Sequence, residues 1–173
     1  MSESNVQKHV IENNKLIVER TFNAPKQLLF QVFSESNHLE NWWGPKGWKT
    51  KNHHFDFAST GVWHYGMECI DQEQSDWYGE ISWGKAVYQE IVRNERIVYH
   101  DYFSDQNGDI NQALPGMEIA AYFYDLGSQS KIVMENTFQS KEELKKLIEM
   151  GVLEGVSSQF EKLDEYLEEI NQK

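Results

Sequence analysis

Three polar side chains fall within apolar, alternating stretches. Asp101 is in phase with Tyr99 and Phe103, Asn136 with Met134 and Phe138, and Glu90 with Tyr88. Alternate residues of a strand share a face, so a strand reading puts each beside side chains that seek the core. A buried carboxylate needs a partner or a shifted pKa. Such a group can orient a ligand's hydroxyl or carbonyl, or act as an acid or base. The plain alternative is a structural carboxylate paired with Arg96, Arg93 or a backbone amide, and a one-residue bulge would turn Glu90 outward. An aromatic set accompanies these groups: Trp42, Trp43, Trp48, Trp63, Tyr65 and Tyr99. Flat rings bury large areas at low entropic cost and suit a planar or hydrophobic ligand; ordinary core packing is the competing account. Trp42 and Trp43 precede Gly44-Pro45, where a pocket mouth can form, and as consecutive residues they point differently.

Other chemistries find little support. His53 and His54 are adjacent on a strand pattern and so face opposite ways. His64 and Glu68 share a face, but it is opposite Trp63 and Tyr65 and therefore outside. With His100 and Asp101 included, no zinc spacing emerges. Asp105-Gln106-Asn107-Gly108-Asp109 starts like a calcium loop. It has Ile110 at the sixth position and Gly116 at the last, so it reads as a hairpin turn. Cys69, the single cysteine, is in phase with Trp63, Tyr65 and Met67 and reads as a small core residue. No phosphate-binding glycine loop or nucleophile elbow is present, and no cofactor is called for.

The elements that must position these residues follow from periodicity. Leu16–Phe22 reads as a strand. Asn23-Ala24-Pro25 opens a helix over 25–33, and a second short helix runs from Ser36 or Asn37 to about Trp42, stopped by Gly44-Pro45. Strands are expected near 48–56, 61–70, 78–91, 95–104, 117–125 and 130–138, joined by turn sequences. Trp63, Tyr65, Met67 and Cys69 share one face; so do Ile132, Met134, Asn136 and Phe138. Strand following strand without intervening helices implies an antiparallel meander. A long helix over about 140–170 begins with a Ser140/Glu143 capping box. Its stripe of Leu144, Ile148, Val152, Val156, Phe160, Leu163, Leu167 and Ile170 must bury against the sheet. Gly151 and Gly155 on or beside that stripe suggest close approach to the sheet, space for a ligand, or a kink. Residues 1–13 read as a flexible tail and 14–173 as one domain.

Composition bounds the function. Of 173 residues, 39% are apolar and 13% aromatic, with six Trp, which is a globular composition whose rings must cluster. Net charge is −12, which repels nucleic acid. No apolar run suits membrane insertion. The lone cysteine fits a reducing compartment, and a cytoplasmic location is the default.

The order of elements is that of the helix-grip fold, and the residues carry a family resemblance. Trp42-Trp43-Gly44-Pro45, Trp83-Gly84-Lys85-Ala86-Val87-Tyr88 with Glu90-Ile91-Val92, Glu95-Arg96-Ile97-Val98-Tyr99, Phe103-Ser104-Asp105 before Gly108, and Met150-Gly151 with Glu154-Gly155 occur in order across residues 15–170. In these the chain resembles a bacterial single-domain member of the START-like (SRPBCC) superfamily, in the branch named after the activator of the heat-shock-protein-90 ATPase. The resemblance implies an α+β fold. A curved antiparallel sheet of six to seven strands, two short helices and a long C-terminal helix enclose a cavity for an apolar or amphipathic molecule. Many relatives carry Trp where this chain has Val156, which gives its cavity a different shape. The candidate ligand-binding residues are Trp42, Trp43, Trp63, Tyr65, Met67, Tyr99, Asp101, Met134, Asn136 and Val156. The expected function is noncatalytic binding of a hydrophobic or aromatic small molecule. The alternatives are a cyclase- or dehydratase-like enzyme using Asp101 or Glu90, and a chaperone-ATPase activator or other protein-binding module.

Overall fold

The computed structural model describes residues 7–114 and 116–171. Eight strands form one antiparallel sheet: β1 (Lys8–Glu12), β2 (Lys15–Phe22), β3 (Trp48–Phe55), β4 (Val62–Cys69), β5 (Ile81–Val92), β6 (Arg96–Ser104), β7 (Met117–Leu126) and β8 (Gln129–Thr137). Their order across the sheet is β1-β2-β8-β7-β6-β5-β4-β3, so β3 to β8 form a meander and β2 closes onto β8. Two short helices, α1 (Lys26–Ser34) and α2 (Ser36–Trp42), link β2 to β3; α3 (Lys141–Glu149) and α4 (Val152–Asn171) end the chain. No described helix is long and apolar enough to cross a membrane.

The strand count exceeds the sequence expectation by one. β1 lies in the stretch read as a flexible tail, of which residues 1–6 fall outside the described residues. All five of its residues are exposed, so it lacks the alternation that marks a half-buried strand. A two-residue turn with Asn13 at φ 55 joins it to β2, a conformation that asparagine tolerates. β5 starts at Ile81, because 71–80 is a run of turns in which Trp77 and Tyr78 are exposed. β5 also carries a bulge between Tyr88 and Glu90.

The inner face of the sheet follows the alternation. β2 shows an unbroken alternating burial pattern, with Leu16, Val18, Arg20 and Phe22 inward. α1 packs on β7 through Phe30 and Phe33, whose rings lie 5.2 and 5.3 Å from that of Phe123. α4 packs Phe160, Leu163 and Leu167 inward, with Phe160 edge-on to Phe22 at 5.5 Å.

The expected single C-terminal helix is two. The helical stripe continues through 150, but Gly151 has φ +96, a backbone conformation that ends a helix and that glycine adopts without penalty. Ser140 caps α3 by accepting from the Glu143 amide, while the Glu143 carboxylate accepts from the Gln139 amide; the box closes one residue earlier than the usual reciprocal pair. Asn23 does not cap α1: the N-cap position is Pro25, with no side-chain cap bond.

Candidate functional site

A cavity of about 370 Å³ lies between the inner face of the sheet and the α3–α4 break. The register builds its floor. Leu16 pairs with Asn136, Asn136 with Ile119, Ile119 with Tyr99, and Val18 with Met134. Beyond Tyr99, Asp101 pairs with Ala86, and Tyr65 with Gly84. Gly84 is what lets Tyr65 lie where it does, since a Cβ there would sit 2.3 Å from the ring. The roof is Val152, Gly155, Val156, Gln159 and Phe160 of α4, with Leu147, Met150 and Gly151 before it. Nothing lies within 4 Å of where a Gly155 Cβ would be. Of the sequence accounts of that glycine, close approach to the sheet is therefore ruled out: it borders open space.

The Trp43-Gly44-Pro45 turn forms the side wall and is fastened to α4. The Gly44 amide donates to Gln159 Oε1 at 2.7 Å, the Lys46 amide to Ser158 Oγ at 2.8 Å, and Lys162 Nζ to the carbonyls of Trp43 and Trp48 at 3.4 and 3.1 Å. Thr50 Oγ1 donates to the Trp43 carbonyl from the other side at 2.7 Å.

The polar groups in this apolar enclosure are few. Tyr65 Oη donates to the Asp101 carboxylate at 3.1 and 3.3 Å to its two oxygens. Burial pushes the Asp101 carboxyl up to about 7, against the opposing pull of the Tyr65 hydroxyl and the Tyr102 amide. Burial, with the Asp101 charge adding to it, also raises Tyr65 and Tyr99 well above the usual phenol range. Asn136 Nδ2 donates to the Leu16 carbonyl at 3.0 Å and, more weakly, to that of Met134 at 3.4 Å.

Eight of the ten residues singled out by sequence line this cavity: Trp43, Tyr65, Met67, Tyr99, Asp101, Met134, Asn136 and Val156. Two do not. Trp42 is fully buried behind the wall, its ring tilted against Phe33 at 4.6 Å and its indole N–H on the Val32 carbonyl. Trp63 backs Trp43 at 4.7 Å and Tyr65 at 4.6 Å and donates its N–H to Asn52. Both support the wall from the core. Glu90 is also remote: past the bulge it faces outward, exposed, where Arg96 holds it below the usual carboxylate range. Cys69 is fully buried. His64 is on the outer face as expected, but it is covered. Its Nε2 lies 2.8 Å from the Asp105 carbonyl and its ring stacks on Trp83. Gln159 was missed, although it falls three residues after Val156 and four before Leu163, on the buried face of α4, where a glutamine is conspicuous.

Solved structures share this fold. The structure of protein Ms6760 from Mycobacterium smegmatis is 24% identical, over 94% of this chain and 95% of that one, with a TM-score of 0.80. A protein of Arthrobacter aurescens is 23% identical over 96% and 92%, with a TM-score of 0.85. One of Staphylococcus epidermidis is 25% identical over 94% of each chain, with a TM-score of 0.80. These likenesses carry the fold. No curated protein matches the chain. The family described as Activator of Hsp90 ATPase homolog 1-like protein matches residues 23–168, which is most of the domain and all of the cavity lining except Leu16 and Val18 of β2, and the chain belongs to that family.

Proposed function

We propose that the protein binds a hydrophobic or aromatic small molecule in this cavity and releases it unchanged. The observation that carries the reading is a partly open cavity of about 370 Å³, walled by aromatic, aliphatic and methionine side chains with a short polar cluster at Asp101. That size and composition suit a ligand site, in which apolar contact supplies affinity and a few polar groups fix orientation. The residues proposed to contact the ligand are Trp43, Tyr65, Met67, Tyr99, Asp101, Met134, Asn136 and Val156. The compartment proposed is the cytoplasm, where a thiol such as Cys69 stays reduced.

Native mass spectrometry of the purified protein, followed by a thermal-shift screen of lipids and aromatic metabolites, tests the proposal. A true ligand at a hundredfold excess over its Kd stabilises the protein by about 2.7 kcal/mol. A broad apolar panel that leaves the melting temperature unmoved would refute it.

A second reading, acid–base catalysis, has one observation in its favour. A carboxyl near neutrality beside a tyrosine hydroxyl can pass a proton in either direction at physiological pH. Asp101 would be the acid or base and Glu90 has no part. Chemical change of a bound compound on incubation, abolished in Asp101→Asn, would favour this reading over simple binding.

A further inference from the structure

The charges between the sheet and α4 are unevenly settled. Two cations reach this space, and protein groups hold both. Arg20, 6% exposed between Val18 and Phe22, is paired with Asp164 of α4. Lys162 directs its ammonium to the Trp43 and Trp48 carbonyls. Neither lines the cavity. Among the described lining residues there is no lysine, arginine or histidine, and Asp101 is the only carboxylate. Its partners are the Tyr65 hydroxyl and a backbone amide. The titratable groups that face it are Tyr65 from β4, Tyr88 from β5 and Tyr99 from β6, all phenols; α3 and α4 bring none to the cavity.

Asp101 is half-buried among apolar side chains; a carboxylate so placed without a cation is disfavoured, and a ligand can supply the missing charge. An anionic head group would instead meet a second negative charge with no donor strong enough to offset it. A protonated nitrogen against Asp101 would complete an ion pair and lie among the rings of Trp43, Tyr65 and Tyr99, whose faces attract cations. The long-range field has the same sense. The chain carries −12 overall, and Glu154 stands beside the cavity-lining Gly151 at the helix break, so the field favours cations over anions.

We infer that the cavity takes a hydrophobic amine, an apolar body whose ammonium pairs with Asp101. The inference rests on the proposed binding role and narrows it to one ligand class. Because the carboxyl titrates near neutrality in the empty cavity, an amine binds the ionised form and weakens as pH falls through that range, by up to tenfold per pH unit. A neutral analogue covers the carboxyl without pairing it, favours the protonated form, and does not weaken as pH falls.

The test is titration calorimetry with 4-phenylbutylamine, 4-phenylbutanol and 4-phenylbutanoate at pH 8.0 and 5.5, on the full chain and on Asp101→Asn. The amine is expected to bind at least tenfold more tightly than the carboxylate at pH 8.0 and to lose tenfold or more at pH 5.5, while the alcohol loses no affinity. In Asp101→Asn the amine is expected to fall to the level of the alcohol. Carboxylate binding as tight as that of the amine, or an amine preference that survives Asp101→Asn, overturns the assignment. So does an amine affinity flat with pH, which needs no variant. If none of the three binds while other apolar compounds stabilise the protein in the screen above, the amine assignment falls and the binding role stands. If nothing binds in either experiment, both fall.

Discussion

Replacing Asp101 with asparagine should stabilise the protein in alkaline solution and change it little in acid. The Asp101 carboxyl sits at about 7 in the folded chain, against 3.8 for an unperturbed aspartate. Its pKa is raised, so the folded state holds the proton more tightly than the unfolded one. The stability this lends is fully present below pH 3.8 and is lost as the pH rises through 7. At about 1.4 kcal/mol per pH unit, a gap of this size corresponds to roughly 4 kcal/mol as an upper limit. A second pocket of about 50 Å³ adjoins the carboxylate, bordered by Trp83 and Tyr102. It has room for water, which reduces the cost of the charge, so about 1–3 kcal/mol is the expected range. Asn cannot ionise and keeps the shape. Urea denaturation of both proteins at pH 4.5 and 8.0, followed by circular dichroism, measures the difference. The advantage of Asp101→Asn should grow by that amount between the two pH values. Asp164 has its pKa raised to about 6 by burial, Arg20 opposing, and adds a slope of the same sign, but it titrates in both proteins and cancels. A difference that is constant with pH, or that grows in favour of the native chain at pH 8.0, would refute the argument.

Substitutions at three further positions probe the cavity walls. Val156→Trp should fill the space under α4 and abolish ligand-dependent thermal shifts while the free protein still unfolds cooperatively; a ligand shift of native size in this variant would remove Val156 from the site. Gly84→Ala places a methyl against the Tyr65 ring. It should cost about 1–3 kcal/mol in denaturant titrations, as overpacking does, and weaken ligand binding by displacing the Tyr65 hydroxyl from Asp101. Gly151→Ala has open space around its Cβ, with only Glu154 Oε2 at 3.8 Å. Its penalty should therefore be that of the positive φ alone, about 1–2 kcal/mol, and Gly151→Asn, which tolerates that conformation better, should recover part of it by the same assay.

Alternation and turn chemistry made the sheet legible, because a half-buried strand must show one face to the core. The same logic misses what it does not encode. β1 has no buried face to alternate, so its pairing is invisible in composition. Glu90 was in phase with Tyr88 by counting, but one extra residue at the bulge inverted its side. Asp101, with no bulge between it and Tyr99, kept its face. Trp42 and Trp63 show a different gap. Strand or helix phase tells which way a ring points, but not whether another ring stands between it and the cavity, and Trp43 does so for Trp63. Gly151 marked a place for a kink, but the apolar stripe of α3 and α4 continues across it, so a full break into two helices was not legible; the positive φ separates them.

The cavity itself follows from a taper along α4. Its first inward turns carry Val152, Gly155 and Val156; the later ones carry Phe160, Leu163 and Leu167, all buried. Large side chains hold the C-terminal half against β2, with the Phe22–Phe160 contact at its centre. Small ones in the N-terminal half leave the sheet uncovered where Asp101, Tyr99 and Asn136 face inward. A helix with Trp at 156 and bulk at 155 would meet those polar groups with hydrocarbon and leave the carboxylate only the Tyr65 hydroxyl, the Tyr102 amide and the small pocket beside Trp83, which disfavours its charged form. The small residues and the acid are therefore linked. Open space over Asp101 is what makes its position tolerable in the empty protein, and the same space is what a ligand would fill. If that coupling is right, Val156→Trp and Asp101→Asn should be non-additive. The tryptophan alone should raise the Asp101 pKa further and destabilise the protein above pH 7, and the asparagine should rescue it.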